Sequence, residues 1–142
     1  MKSYKDLEIY QVAYKLAFEV HKMSLTLPKY ELYEQGSQVR RSSKSIKDTI
    51  VEACLPARQG YGRKRYKDDF IRFLTYAQSS CDEAISQLEM ISDIHFPDNP
   101  LTNLIDEYNI LGKKINKFIA YVENNWLTRN KKTRNQKPET KS

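Results

Sequence analysis

Cysteine is nearly missing from this sequence: Cys54 and Cys81 are the only two, and neither belongs to a C-x-x-C pair. A disulfide framework and a cysteine-based zinc module are thereby excluded. Both residues read as small apolar core positions in a reducing compartment. Histidine is equally scarce. A di-iron site in a helical bundle requires Glu-x-x-His on paired helices, but Phe18 and Ser92 stand three residues before His21 and His95. Each histidine falls near the end of an apolar segment and reads as a helix C-terminal cation or a surface residue. Long hydrophobic runs are missing too. No window approaches the ~20 apolar residues of a membrane span. The N-terminus carries Lys2, Lys5, Asp6 and Glu8 without the apolar stretch of a secretory signal. The expectation is a cytoplasmic protein.

Glycine and proline amount to four and five residues, and they mark the places where helices should stop. Pro28 follows the first apolar segment; Pro56, Gly60 and Gly62 sit in the middle; Pro97 and Pro100 precede the last segment. Between these breaks apolar residues recur at helical spacing, and no stretch alternates with period two. Strands are not expected.

What is present is four helical segments. Segment one, about 6–27, places Ile9, Ala13, Leu16, Val20, Met23 and Leu27 on one stripe, with Leu7, Tyr10, Tyr14 and Ala17 beside it. An apolar arc this wide belongs to a helix that is central or shared with another subunit, and so favours self-assembly. Segment two, about 30–55, carries Val39, Ser43, Ile46, Ile50 and Ala53 on its stripe, and Ser42 and Ser43 permit close helix approach. Segment three, about 64–96, has Phe70, Leu74, Ala77, Cys81, Ala84, Leu88 and Ile91 at heptad spacing. Segment four, about 101–126, repeats it with Leu101, Leu104, Tyr108, Leu111, Ile115, Phe118 and Val122. Asp98 or Asn99 is the expected cap there, with Pro100 at the first helical position. The fold expected is all-α: an antiparallel up-and-down four-helix bundle over residues 1–127, followed by a disordered basic tail over 128–142. A chain of 142 residues buries roughly two-thirds of its unfolded surface and needs no metal or disulfide to fold.

Charge is unevenly spread. The tail's six Lys and Arg against Glu139 give it +5 of the net +6, leaving residues 1–127 at +1. Residues 40–72 hold ten cations and four acids, whereas 82–107 hold seven acids and no Lys or Arg. One region is basic and a neighbouring one acidic, whatever the total.

No G-x-S-x-G, Walker A, dinucleotide fingerprint or H-E-x-x-H occurs. Ser79-Ser80-Cys81 falls mid-helix with no histidine near it in sequence, so no enzyme and no cofactor are expected. The basic zone remains. Arg40, Lys44 and Lys47 are spaced to share one helix face, with Arg41 beside them. The connection that follows holds Arg58, Tyr61, Arg63, Lys64, Arg65, Tyr66 and Lys67, interrupted by glycine. Flexible backbone, clustered cations and stackable rings suit contact with phosphates and unpaired bases of RNA or DNA. The competing readings are a solvated helix face, Tyr66 as a core anchor, and a protein partner for the cations.

Three blocks carry a family resemblance. Tyr4-Lys5-Asp6-Leu7-Glu8-Ile9-Tyr10-Gln11-Val12-Ala13 resembles the opening of the bacterial four-helix-bundle proteins encoded in intervening sequences of 23S ribosomal RNA genes. Ser37-Gln38-Val39-Arg40-Arg41-Ser42-Ser43-Lys44-Ser45-Ile46, then Ile50-Val51-Glu52, is similar to that family's second-helix motif. Asp69-Phe70-Ile71-Arg72-Phe73-Leu74-Thr75-Tyr76-Ala77-Gln78-Ser79-Ser80 resembles its third. The resemblance implies an antiparallel bundle assembled into a homo-oligomer, a ring-shaped pentamer. It extends to the accessory subunit of diversity-generating retroelements, whose relatives bind nucleic acid and a reverse transcriptase through a basic surface. Most members of the family have no assigned activity.

The sequence departs from the family pattern at Lys47, where a proline or small residue is usual. It departs again at Thr49-Ile50-Val51-Glu52-Ala53, which lacks the pattern's Asn and Gly, so helix two is expected to run further. Arg40, Arg41 and Arg72 are intact. Arg40 and Arg41 point about 100° apart on a helix. One therefore suits a carboxylate such as Glu52 or Asp69, and a nucleic-acid role stands equally beside that structural one.

Overall fold

The structure, a computed structural model, describes residues 3–55 and 63–125, with Arg63, Lys64 and Arg65 described in backbone only. A 3₁₀ turn at Tyr4–Asp6 precedes five α-helices: α1 (Glu8–Ser24), α2 (Lys29–Leu32), α3 (Gln35–Ala53), α4 (Arg63–His95) and α5 (Thr102–Asn125). Four are long, α2 is a single turn, and no strand occurs among the described residues.

The heptads of α4 form the spine. Phe70, Leu74, Ala77, Cys81, Ala84, Leu88 and Ile91 are all buried on one side of a helix about 50 Å long. Against them lie Val39, Ile46, Ile50 and Ala53 of α3, Ile9, Ala13, Leu16 and Val20 of α1, and Tyr108, Leu111, Ile115, Ile119 and Val122 of α5. Each fully buried Leu or Ile contributes about 1.5–3 kcal/mol relative to exposure. Leu101, Leu104 and Phe118 are half-buried at the edge of this core.

Contacts along each helix pair fix the direction. Arg40 near the start of α3 reaches Ser24 at the end of α1. Ser42 and Ser45 of α3 bond Gln87 and Ser80 of α4 in reverse order. Cys81 meets Tyr108, and Lys67 meets Glu123 across α4 and α5. Glu8 pairs with Lys114, and Lys15 with Glu107, across α1 and α5. Every neighbour is antiparallel, and the ring α1–α3–α4–α5 closes as an up-and-down four-helix bundle.

Some local expectations fail for identifiable reasons. Segment two is not one helix: α2 ends at Leu32, and the chain turns through Tyr33 and Glu34 before α3 begins. Gly36 and Gly112 lie inside helices and are not stops. Helix α5 starts at Thr102, so Pro100 is outside it, and neither Asp98 nor Asn99 caps it. Instead the Leu101 N–H donates to the buried Ser92 hydroxyl at 2.9 Å, and the Leu101 carbonyl accepts from Ile105. Tyr14, placed on the apolar arc of segment one, is exposed, and Met23 is only half-buried. The rest of that arc is taken up by α1 packing on both α3 and α5. The tail over 128–142 lies outside the described residues.

Candidate nucleic-acid interface

The basic residues singled out in the sequence do not form one cluster. Arg40 is drawn inward: its Nη1 donates to Ser24 Oγ at 2.9 Å and its Nη2 to the Leu32 carbonyl at 2.7 Å. It thus ties the end of α1 and the end of α2 to α3. Neither Glu52 nor Asp69 is its partner. Asp69 bonds Arg72 Nη2 at 3.1 Å, and the Arg72 guanidinium also stacks 5.0 Å from the Phe73 ring centroid.

Arg41 stays exposed. It lines the α3–α4 groove with Gln38, Ser42, Ser45, Ser80, Glu83 and Gln87. Lys44 and Lys47 turn to the other side of α3, toward α1. Lys44 is exposed, and Lys47 is partly screened by Asp48 at 2.7 Å.

Toward the start of α4, Tyr66 is half-buried with its ring 6.1 Å from that of Phe70, and burial raises its phenol pKa, helped by Cys54. Core anchoring accounts for this ring better than base stacking. Lys67 Nζ donates to the Glu123 carbonyl at 3.1 Å. A cation there complements the negative end of α5. Arg63, Lys64 and Arg65 occupy the first turn of α4, while Arg58 and Tyr61 lie outside the described residues.

What the sequence reading missed lies across from Lys44 and Lys47. Tyr14 and Phe18 of α1 are 54% and 58% exposed. With Ala17, His21, Lys44 and Lys47 they line a groove of about 290 Å³ between α1 and α3. Lys22 Nζ sits 5.3 Å over the Phe18 ring. Tyr14 continues an aromatic row through Tyr10 to Tyr4, with centroid spacings of 6.1 and 5.0 Å. The signal was in the sequence as the fourfold spacing of Tyr10, Tyr14 and Phe18. Only the packing showed which of these rings remain outside.

For His95 the expected place at a helix C-terminus holds, and the surface alternative does not. Its Nε2 donates to the buried Glu31 Oε2 at 2.6 Å, and Gln35 Nε2 donates to the same oxygen at 2.7 Å. Cys81 is buried, and loss of hydration pushes its thiol up to about 12, with Asp82 adding to the shift. Such a thiol is a core group and no nucleophile. No group of three or more His, Cys, Asp or Glu is gathered for a metal among the described residues, and no helix there is long and apolar enough to cross a membrane.

Fold and surface together define an antiparallel helical bundle with a divided basic surface. The profile of the 23S rRNA-intervening sequence proteins matches residues 5–117. The chain belongs to that family, which is not a known enzyme family. No curated protein matches the chain.

Proposed function

We propose that this is a non-enzymatic bundle protein that binds RNA or DNA through phosphate contacts and self-associates. The observation that carries the reading is Lys44 and Lys47 standing on α3 beside the exposed rings of Tyr14 and Phe18 on α1. Cations neutralise phosphates and release condensed counterions, which makes such binding steeply salt-dependent and weakly sequence-specific. Arg41, exposed on the α3–α4 side, extends the cationic surface away from this groove. Arg40, Arg72 and Lys67 act chiefly as structural residues.

The test is a titration with structured RNA, single-stranded RNA and duplex DNA at two salt concentrations. It uses the full chain, a chain ending at Leu127, and the double variant Lys44→Glu/Lys47→Glu. Salt-sensitive binding that survives truncation and falls in the double variant is expected. Each phosphate contact removed lowers the salt slope by about 0.7 for a single strand. Absence of binding at low salt sinks the proposal. Light scattering reads self-association, where one subunit's mass alone would overturn that part.

A protein scaffold is the second reading, and one observation favours it. The outward side of α4 exposes Asp82, Glu83, Glu89 and Asp93 around Met90 and Ile94, which are 54% and 51% exposed. An acidic surface with apolar residues suits a basic protein partner, including the cationic side of a second copy.

A further inference from the structure

Exposed aromatic rings forfeit burial energy, and two of them on one helix face beside lysines invite a ligand that is planar on one side and anionic on another. The groove between α1 and α3 has that character. Its walls are the Tyr14 and Phe18 rings with Ala17 between them, and Lys44 and Lys47 stand on the opposite rim. At about 290 Å³ it lies near the lower limit of small-ligand pockets, a size for one ring system. Lys22 stands over the Phe18 ring, which stays 58% exposed.

We infer that this groove holds an unpaired base of single-stranded nucleic acid, stacked on Tyr14 or Phe18, with Lys44, Lys47 and Lys22 on the flanking phosphates. The inference rests on the nucleic-acid reading above and gives it a ligand class: unpaired strands in preference to duplex. In a duplex the bases already stack on each other, so the rings gain nothing from it. Base–aromatic stacking tolerates any base because each presents a π-face. The site therefore selects for strandedness and not for sequence. An acidic protein helix would also meet the lysines, but the groove offers too short an apolar floor to bury a helix face.

The experiment measures binding of the full chain to a fluorescent 12-nucleotide single strand, the same strand as a duplex, and an abasic strand of equal charge. Variants are Tyr14→Ala and Phe18→Ala, with Tyr33→Ala as the control because Tyr33 is 79% exposed and does not line the groove. Loss of a stacked ring should weaken single-strand binding about 5- to 150-fold. Duplex and abasic binding, and the salt slope, should hold in the same variants. Equal loss on the abasic strand, or no loss on any, overturns the stacking site while salt-dependent binding through Lys44 and Lys47 still stands. No binding of any probe at low salt removes both readings together. A drop in molar mass on Phe18→Ala, with nucleic-acid binding intact, would assign the groove to a subunit interface and overturn the inference.

Discussion

Gly36 sits where a Cβ would lie 2.9 Å from the Glu31 carbonyl oxygen and 3.1 Å from Arg40 Nη1. The carbonyl is backbone and cannot swing aside, so an alanine there must displace the α2–α3 corner. Gly112, in the middle of α5, offers the opposite case: its nearest neighbour would be Cys81 Sγ at 3.6 Å, an ordinary contact. Gly36→Ala is therefore expected to destabilise by about 1–3 kcal/mol through overpacking. Gly112→Ala is expected to stabilise by up to about 1 kcal/mol through helix propensity. Thermal melts of the two variants decide the matter, and a raised Tm for Gly36→Ala would contradict the tight corner.

Among the elements, the single turn α2 depends most on its partners. Four residues are too few for a stable isolated helix, and α2 holds because its Glu31 is buried and bonded from two sides, by Gln35 of α3 and His95 of α4. Arg40 adds a third tie through the Leu32 carbonyl. Removing the carboxylate takes the acceptor from two half-buried donors, Gln35 Nε2 and His95 Nε2. Glu31→Ala should cost about 1–3 kcal/mol, as for hydrogen-bonding groups left without their partner, whereas Glu31→Gln keeps an acceptor oxygen and should cost less. Urea denaturation of both variants reads the order, and equal small losses would show that α2 is held by apolar packing alone. The ion pairs that link α1 to α5 are exposed and contribute little by comparison.

At the scale of the whole molecule, the buried thiol and phenol at the α4–α5 seam set an alkaline limit. Cys81 donates to the Tyr108 carbonyl at 3.3 Å, and the Tyr108 hydroxyl is buried beside Ser43. Burial raises both groups, the thiol from 9.0 to about 12, and lost hydration is the first cause in each case. Their neutral forms favour the folded state. This contribution is fully present below the unfolded thiol's value near pH 9 and is lost as pH rises toward 12. Each group then costs up to about 1.4 kcal/mol per pH unit. The urea midpoint should be flat with respect to these groups from pH 7 to 9 and fall above it, with a shallower fall in Cys81→Ala. A midpoint unchanged up to pH 11 would refute the assignment.

The four long helices, the heptad face of α4 and most of the core were legible in the sequence, because burial of a stripe at 3.6-residue spacing is a local property that any partner surface satisfies. The amino-acid order also determined the charge asymmetry and the family. It did not determine what each cation does. Arg40 and Lys44 share a helix face, yet one is drawn into the α1–α2 corner and the other stays in solvent, because a neighbouring carbonyl and hydroxyl stand within reach of only one of them. The same holds for His95, whose burial depends on Glu31 sixty-four positions earlier. Exposure of Tyr14 and Phe18 was likewise a decision of the tertiary structure. Their spacing makes them apolar candidates, but α3 and α5 cover only part of the arc of α1, and the rings left outside are those that face the lysines of α3.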